Sequence, residues 1–125
     1  MTAQDHLPLT PLSLQVLVAL ADAPRHGYGI LKEIEASSPG PFRSSTGTLY
    51  LAIQRLEQGG LIEEDRESPS PDTRRRYYRL TELGREVAVA ESRRLVSVLE
   101  VSRSKGLLGN HPAGGAREPR TARGG

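Results

Sequence analysis

The sequence predicts a mainly α-helical domain with a small β-hairpin, extended by one long C-terminal helix. Three observations carry that prediction: three short stretches of helical apolar periodicity before Gly59, two strand-like runs around a Pro-containing loop, and an amphipathic stretch from Glu82 to Lys105. A chain of 125 residues has room for one small domain with a modest core.

The first helix opens with Thr10 as N-cap and Pro11 at the first helical position, where a missing N–H is harmless. Leu12, Val16, Ala19, Leu20 and Ala23 recur at helical spacing, and Leu14, Leu17 and Val18 form a second apolar face. That pattern predicts a helix enclosed by protein on most sides and ended by Pro24. A second helix runs from about Tyr28 to Ala36, with Tyr28, Ile30, Leu31 and Ile34 against Lys32, Glu33 and Glu35, and breaks at Ser37-Ser38-Pro39-Gly40-Pro41. In the third, Ser45 or its neighbour Ser44 caps a helix whose Leu49, Ala52, Ile53 and Leu56 share one face. Gly59-Gly60 supplies its left-handed stop. The opposite face carries Thr46, Thr48, Leu51, Arg55 and Gln58, with Tyr50 and Gln54 at the flank.

The hairpin pairs Leu61–Arg66 with Arg75–Leu80 around Pro69 and Pro71. Strand alternation sends Tyr78 and Leu80 to the core and Arg75, Tyr77 and Arg79 to solvent, with Arg74 and Arg76 at the turn. Thr81 then caps a last helix to Lys105, about 36 Å long at 1.5 Å per residue. Leu83, Val87 and Ala90 continue its core side. Leu95, Val98, Leu99 and Val101 exceed what the rest of the domain can cover, and a partner subunit is the simplest cover. From Gly106 onward, six Gly and two Pro in twenty residues predict a disordered tail. The expected organisation is therefore a domain over 9–81, a dimerisation helix over 82–105 and a Gly/Pro/Arg tail over 106–125.

Composition excludes several classes of function. Without Cys there is no disulfide framework, no Cys-ligated zinc and no thiol nucleophile. His6, His26 and His111 are scattered with no i, i+4 ligand pair, no glycine-rich phosphate loop follows a strand, and Glu63 and Glu64 face opposite sides of theirs. These features argue against an enzyme and against any metal or cofactor, and His26 reads as a residue at a helix start bonding locally. MTAQDHLPLT lacks the charged-then-apolar pattern of a leader, and no apolar run approaches the roughly 18 residues of a membrane span. The expected location is the cytoplasm, with no membrane partner.

A net charge of +2 and a pI near 9.3 invite a nucleic-acid reading, yet Arg117, Arg120 and Arg123 against Glu118 supply the whole excess. Residues 1–105 are neutral. Distribution must therefore carry the inference. Three helices followed by a two-stranded ribbon are the order of a winged helix-turn-helix, whose third helix enters the major groove. Ser44, Ser45, Thr46 and Thr48 offer hydroxyls to phosphates or base edges, and Gly47 permits close approach. The same cluster also reads as ordinary capping by Ser45 with Thr48 on the surface. Arg74, Arg75, Arg76 and Arg79 crowd the hairpin for phosphate contact, or pair across it with Glu63, Glu64, Asp65 and Glu67. Both readings can hold for different arginines.

Four phrases in order, His26-Gly27-Tyr28-Gly29-Ile30, Gly47-Thr48-Leu49-Tyr50-Leu51-Ala52-Ile53-Gln54-Arg55-Leu56-Glu57, Gly60-Leu61-Ile62 and Arg76-Tyr77-Tyr78-Arg79-Leu80-Thr81, resemble the PadR family of bacterial transcriptional regulators over about residues 9–100. The resemblance implies a winged helix-turn-helix with a C-terminal dimerisation helix and a homodimer on a roughly palindromic operator. It also implies repression in most members and, in several, release by a small aromatic or drug-like effector. By the same resemblance Tyr50 contacts the DNA backbone and the first turn of the third helix reads the groove. The chain departs from the family where Thr46 and Leu51 replace prolines, changes a helix tolerates, and where Gly29 replaces an acidic residue. Leu51 is placed to meet thymine methyls.

The candidate DNA-binding set is thus Ser44, Ser45, Thr46, Gly47, Thr48, Tyr50, Leu51, Arg55, Arg74, Arg75, Arg76 and Arg79, and the candidate dimerisation set Leu95, Val98 and Leu99. Leu14, Val18, Leu95 and Leu99 gather either as an effector pocket against the partner or as plain dimer core. The leading function is a dimeric, sequence-specific DNA-binding repressor; the alternative is a winged-helix module that binds protein without DNA.

Overall fold

A computed structural model describes residues 2–37, 45–67 and 75–109. A short 3-10 helix, Ala3–His6, leads into α1 (Pro11–Ala19), β1 (Arg25–His26), α2 (Gly27–Ser37), α3 (Thr46–Gln58), β2 (Ile62–Glu64), β3 (Tyr77–Leu80) and α4 (Glu82–Ser104). The architecture is a winged helix: three helices packed on a small antiparallel sheet of order β1-β3-β2, followed by the long helix. The chain forms two compact units, residues 1–92 and 93–125, so the division falls within α4. No described helix is long and apolar enough to cross a membrane.

Capping chemistry sets the helix starts where the sequence predicts them. Thr10 Oγ1 accepts from the Ser13 N–H at 3.1 Å, and Thr81 Oγ1 accepts from the Gly84 N–H at 3.0 Å. α1 is shorter than its periodicity suggests, ending at Ala19 instead of running to Pro24. The Arg25 Nε donates to the Ala19 carbonyl at 2.8 Å, and the Arg85 guanidinium takes the Ala21 carbonyl at 3.0 Å. Carbonyls at the end of a helix are thus satisfied by side chains from two other elements, and the backbone is free to turn. α3 ends as predicted, with Gly60 at φ 79°.

The core gathers Val16, Leu17 and Leu20 from α1, Ile30 and Ile34 from α2, Leu49, Ile53 and Leu56 from α3, then Leu61, Ile62, Tyr78 and Val87. Each fully buried aliphatic side chain contributes about 1.5–3 kcal/mol. Val18 and Tyr28, expected on packed faces, are exposed instead. α1 thus presents an open side, and Tyr28 lies beneath Lys32.

Two features were not legible in advance. The sheet has a third strand: Arg25 and His26 pair with Tyr78 and Tyr77, whereas the sequence predicts a two-stranded ribbon. Two residues carry no periodicity, and their strand exists only because β3 offers its free edge. Glu91 is 1% exposed, on the stripe with Leu83 and Val87 that helical spacing reserves for the core. Its Oε2 accepts from the Leu9 N–H at 3.1 Å, which ties the segment before α1 to α4 and supplies hydrogen bonding that a buried carboxylate needs.

The start of α4 is locked onto the α3–β2 turn. Thr81 donates its hydroxyl to the Gly60 carbonyl at 2.7 Å and to the Leu61 carbonyl at 3.0 Å. Gly84 passes so close to the Leu61 carbonyl that a Cβ there would overlap it. In the second unit, Gly106 at φ 82° closes α4: its N–H bonds to Arg103 and that of Leu107 to Ser102, the paired arrangement that satisfies terminal carbonyls. The predicted tail beyond Gly109 lies outside the described residues. Because the Leu61 obstacle is backbone and cannot rotate away, Gly84→Ala is expected to lower the unfolding free energy by about 2–3 kcal/mol, measured by urea denaturation.

Candidate nucleic-acid interface

α3 divides its residues as the sequence predicts. Leu49, Ile53 and Leu56 are buried, while Thr46, Gly47, Thr48, Leu51, Arg55 and Gln58 face solvent. Ser45 is the N-cap: its Oγ accepts from the Thr48 N–H at 3.1 Å and lies 2.9 Å from the Thr48 hydroxyl. The capping reading of these two side chains therefore describes what they do within the chain. Gly47 is different. Among the described residues a Cβ there would meet only the Ser45 Oγ, at 4.0 Å, so none of them calls for glycine.

The exposed face of α3 borders a groove of about 520 Å³, in which Thr48, Leu51 and Arg55 stand beside Thr10, Pro11 and Ser13 at the start of α1. Leu51 is 44% exposed, an apolar residue available for contact beside hydroxyls. Arg55 has no acidic partner among the described residues.

At the wing, β2 and β3 pair with Ile62 opposite Leu80, Glu63 opposite Arg79 and Glu64 opposite Tyr78. Tyr78 is buried and Leu80 packs against the core, as alternation predicts. Burial raises the Tyr78 phenol above its ordinary pKa. Two of the arginines make acidic pairs, the second of the roles expected for them. Arg79 lies 2.8 Å from Glu63 and 3.3 Å from Asp65, and its hydrogen bond to Glu63 holds the guanidinium above its usual pKa. Arg76 lies 3.1 Å from Glu64 and 3.4 Å from Glu57 and 5.6 Å from the Tyr78 ring centre. The exposed pairs among these contribute at most about 1 kcal/mol each, while Asp65 is itself buried; all of them occupy the charges. Arg75 also reaches His26, with Nη1 and Nε2 3.0 Å apart. Ser44 and Arg74 lie outside the described residues.

Wing and third helix meet at a second cavity, of about 270 Å³, lined by His26, Gly27, Tyr28, Tyr50, Arg75, Arg76 and Tyr78. Gly27 explains how Tyr50 fits there: a Cβ on residue 27 would overlap the tyrosine ring and hydroxyl. His26 Nδ1 accepts from the Gly29 N–H at 3.1 Å, an N–H in the first turn of α2 that has no helical carbonyl to use. The local role expected for His26 is thus observed. Its ring meets Tyr77 edge-on at 5.1 Å, and burial, with the Arg75 guanidinium, lowers its pKa below the ordinary 6.5. Sequence reading missed that His26 belongs with Tyr50 and Arg75, because the residues are separated along the chain and joined only by β1. Among the described residues no group of three His, Cys, Asp or Glu is placed to hold a metal ion.

The second half of α4 exposes Val96, Val98, Leu99 and Val101, with Leu95 half-buried. Val96 extends the apolar surface beyond the residues singled out by sequence.

Comparison with known proteins places this geometry in context. The family described as "Transcriptional regulator PadR-like family" matches residues 16–90. An uncharacterised protein X from Lysinibacillus sphaericus is 36% identical over 70 residues, 56% of this chain and 64% of that protein. An uncharacterised 37.1 kDa transposon protein from Streptomyces fradiae is 42% identical over 77 residues, 62% of this chain and 21% of its own length. The chain thus spans less than two thirds of the length of either curated relative. A PadR family transcription regulator from Clostridium difficile superposes with a TM-score of 0.66 at 23% identity, covering 77% of this chain and 98% of that one. Gly27→Ala is expected to swing the Tyr50 ring out of its seat at a stability change within about 1 kcal/mol, since the new methyl raises helix propensity. Loss of the nuclear Overhauser contacts between the Tyr50 ring and residue 27 measures it.

Proposed function

The chain belongs to the PadR-like family of transcriptional regulators, a family of regulators and not of enzymes, and from that premise we propose that it is a sequence-specific DNA-binding repressor acting as a homodimer. The observation that carries the reading is the meeting of α3 with the wing base, where Tyr50 shares a cavity with Arg75 and Arg76. One surface then offers both a helix for the major groove and cations for the backbone.

In this reading Thr46, Gly47 and Thr48 lead α3 into the groove, with Leu51 and Arg55 one and two turns on. A glycine that packing against the described residues does not require supports close approach by an outside backbone. Tyr50, Arg75 and Arg76 take phosphates, joined by Ser44, Ser45 and Arg74 at the margins. Arg79 is the weakest member, because Glu63 and Asp65 hold it. Residues 9–81 form the DNA-binding domain, 82–105 the dimerisation helix and 106–125 a tail. The protein works in the cytoplasm, and occupancy of a roughly palindromic operator blocks transcription until a small aromatic or drug-like effector releases it.

The acidic partners of Arg76 and Arg79 favour one other reading, a winged-helix module that docks on protein without DNA. Footprinting on the DNA upstream of the chain's own reading frame separates the two. A protected, roughly palindromic site is expected, and Arg75→Glu with Arg76→Glu is expected to weaken retention at least tenfold while steep salt dependence is lost. Protection that is absent, or indifferent to both substitutions, would favour the protein-binding module.

The apolar residues of α4 support the dimer, since contiguous exposed surface of this kind normally marks an interface. Replacing Leu95 and Leu99 by Asp is expected to yield a folded monomer in light scattering at micromolar concentration, where the parent chain is a dimer.

A further inference from the structure

The two flanks of α3 carry different chemistry. Tyr50 turns to the wing cavity, where Arg76 is already held by Glu57 and Glu64. Leu51, one residue on and about 100° round the helix, turns to the other flank, where α3 and the start of α1 border the groove of about 520 Å³. No acidic side chain lines that groove, and its charged lining residue is Arg55. Among the described residues neither the Arg55 guanidinium nor the Ser13 hydroxyl has a hydrogen-bond or ion-pair partner. Thr10 Oγ1 accepts from the Ser13 N–H, which leaves its own O–H hydrogen to donate. Pro11 and Ala52 line the same groove and give it an apolar wall. One cation, two hydroxyls and an apolar wall with no acid match a sugar–phosphate strand, whose oxygens accept and whose deoxyribose is largely apolar.

A major groove about 12 Å wide admits one helix and is walled by two backbones, one from each strand. A helix lying in it meets anions on both flanks, and the wing answers only one of them. We infer that the α1–α3 groove seats the backbone of the second strand, the Arg55 guanidinium and the Ser13 and Thr10 hydroxyls donating to its phosphate oxygens while deoxyribose packs on Pro11 and Ala52. The inference rests on the DNA-binding reading above and adds α1, an element to which that reading gives no contact. Val16 and Leu17 of α1 are fully buried, so its first turn is held firmly beside α3 and the seat is formed before DNA arrives. The Arg55 contact is charge-assisted and stronger than the hydroxyl ones.

The test uses the full chain and duplex DNA carrying its footprinted site, with single phosphates replaced in turn by uncharged methylphosphonates. Ser13 is the third residue of α1 and Thr10 its N-cap, so Ser13→Glu completes a capping box while placing a carboxylate in the groove. Its unfolding midpoint is expected to be no lower than the parent's, and its DNA affinity at least about tenfold weaker. Ser13→Ala is expected to cost about fivefold and Arg55→Gln about tenfold, the latter with a salt slope shallower by about 0.9. One phosphate per half-site is expected to account for these losses: replacing it weakens the parent, leaves Arg55→Gln unchanged and relieves the Ser13→Glu penalty. It is expected on the strand opposite the phosphates coupled to Arg75→Glu with Arg76→Glu. Parent affinity in Ser13→Glu, losses that add to Arg55→Gln at every phosphate, or coupling on the same strand as the wing would each overturn the seat while the DNA reading stands. A parent chain that retains no duplex DNA overturns both.

Discussion

Two residues of extended backbone hold the candidate interface together. Arg25 and His26 pair with Tyr78 and Tyr77, and that short ladder joins the start of α2 to the central strand of the wing. A two-stranded ribbon alone is marginally stable, and β2 has only three residues. The third strand turns the ribbon into a sheet whose inner face carries Tyr78 into the core. His26 then stands beside Arg75, and Gly27 opens the space that Tyr50 fills from α3. Without the β1–β3 pairing these four residues have no common location.

The same residues serve folding and the candidate function, and the energetics explain how. Ser45 and Thr48 share a hydrogen bond that starts α3, and those groups face solvent at the end of the helix where backbone N–H groups attract anions. Arg76 and Arg79 are tied to Glu57, Glu63, Glu64 and Asp65, consistent with a neutral body. The exposed ties are weak in water. Such pairs keep guanidinium groups oriented without making the wing a featureless positive patch, so recognition depends on where the cations sit.

Much of the fold was legible because local rules and burial agree. Thr10, Ser45 and Thr81 mark helix starts that the structure confirms, and the face of α3 that carries Leu49, Ile53 and Leu56 is the buried one. Misreadings fall where a distant group decides. α1 stops at Ala19 because Arg25 and Arg85 supply donors to carbonyls of its final stretch. Glu91, a residue on which sequence patterning made no claim, occupies a core position where the Leu9 N–H meets its carboxylate. Of the candidate interface, the residues on α3 were readable from helical spacing alone, while the association of His26 with Tyr50 and Arg75 was not.

By itself the sequence determined the order of elements, the buried and open faces of α3, the inward turn of Tyr78 and the surplus apolar residues of α4. Those follow from periodicity and capping, which act within a few residues of the chain. Only the tertiary structure decided that β1 exists, which acids hold Arg76 and Arg79, that Arg75 meets His26, and that Gly27 and Gly84 stand where another element passes too close for a side chain. Each depends on a partner far away in sequence, and neither composition nor spacing carries the geometry of such a meeting.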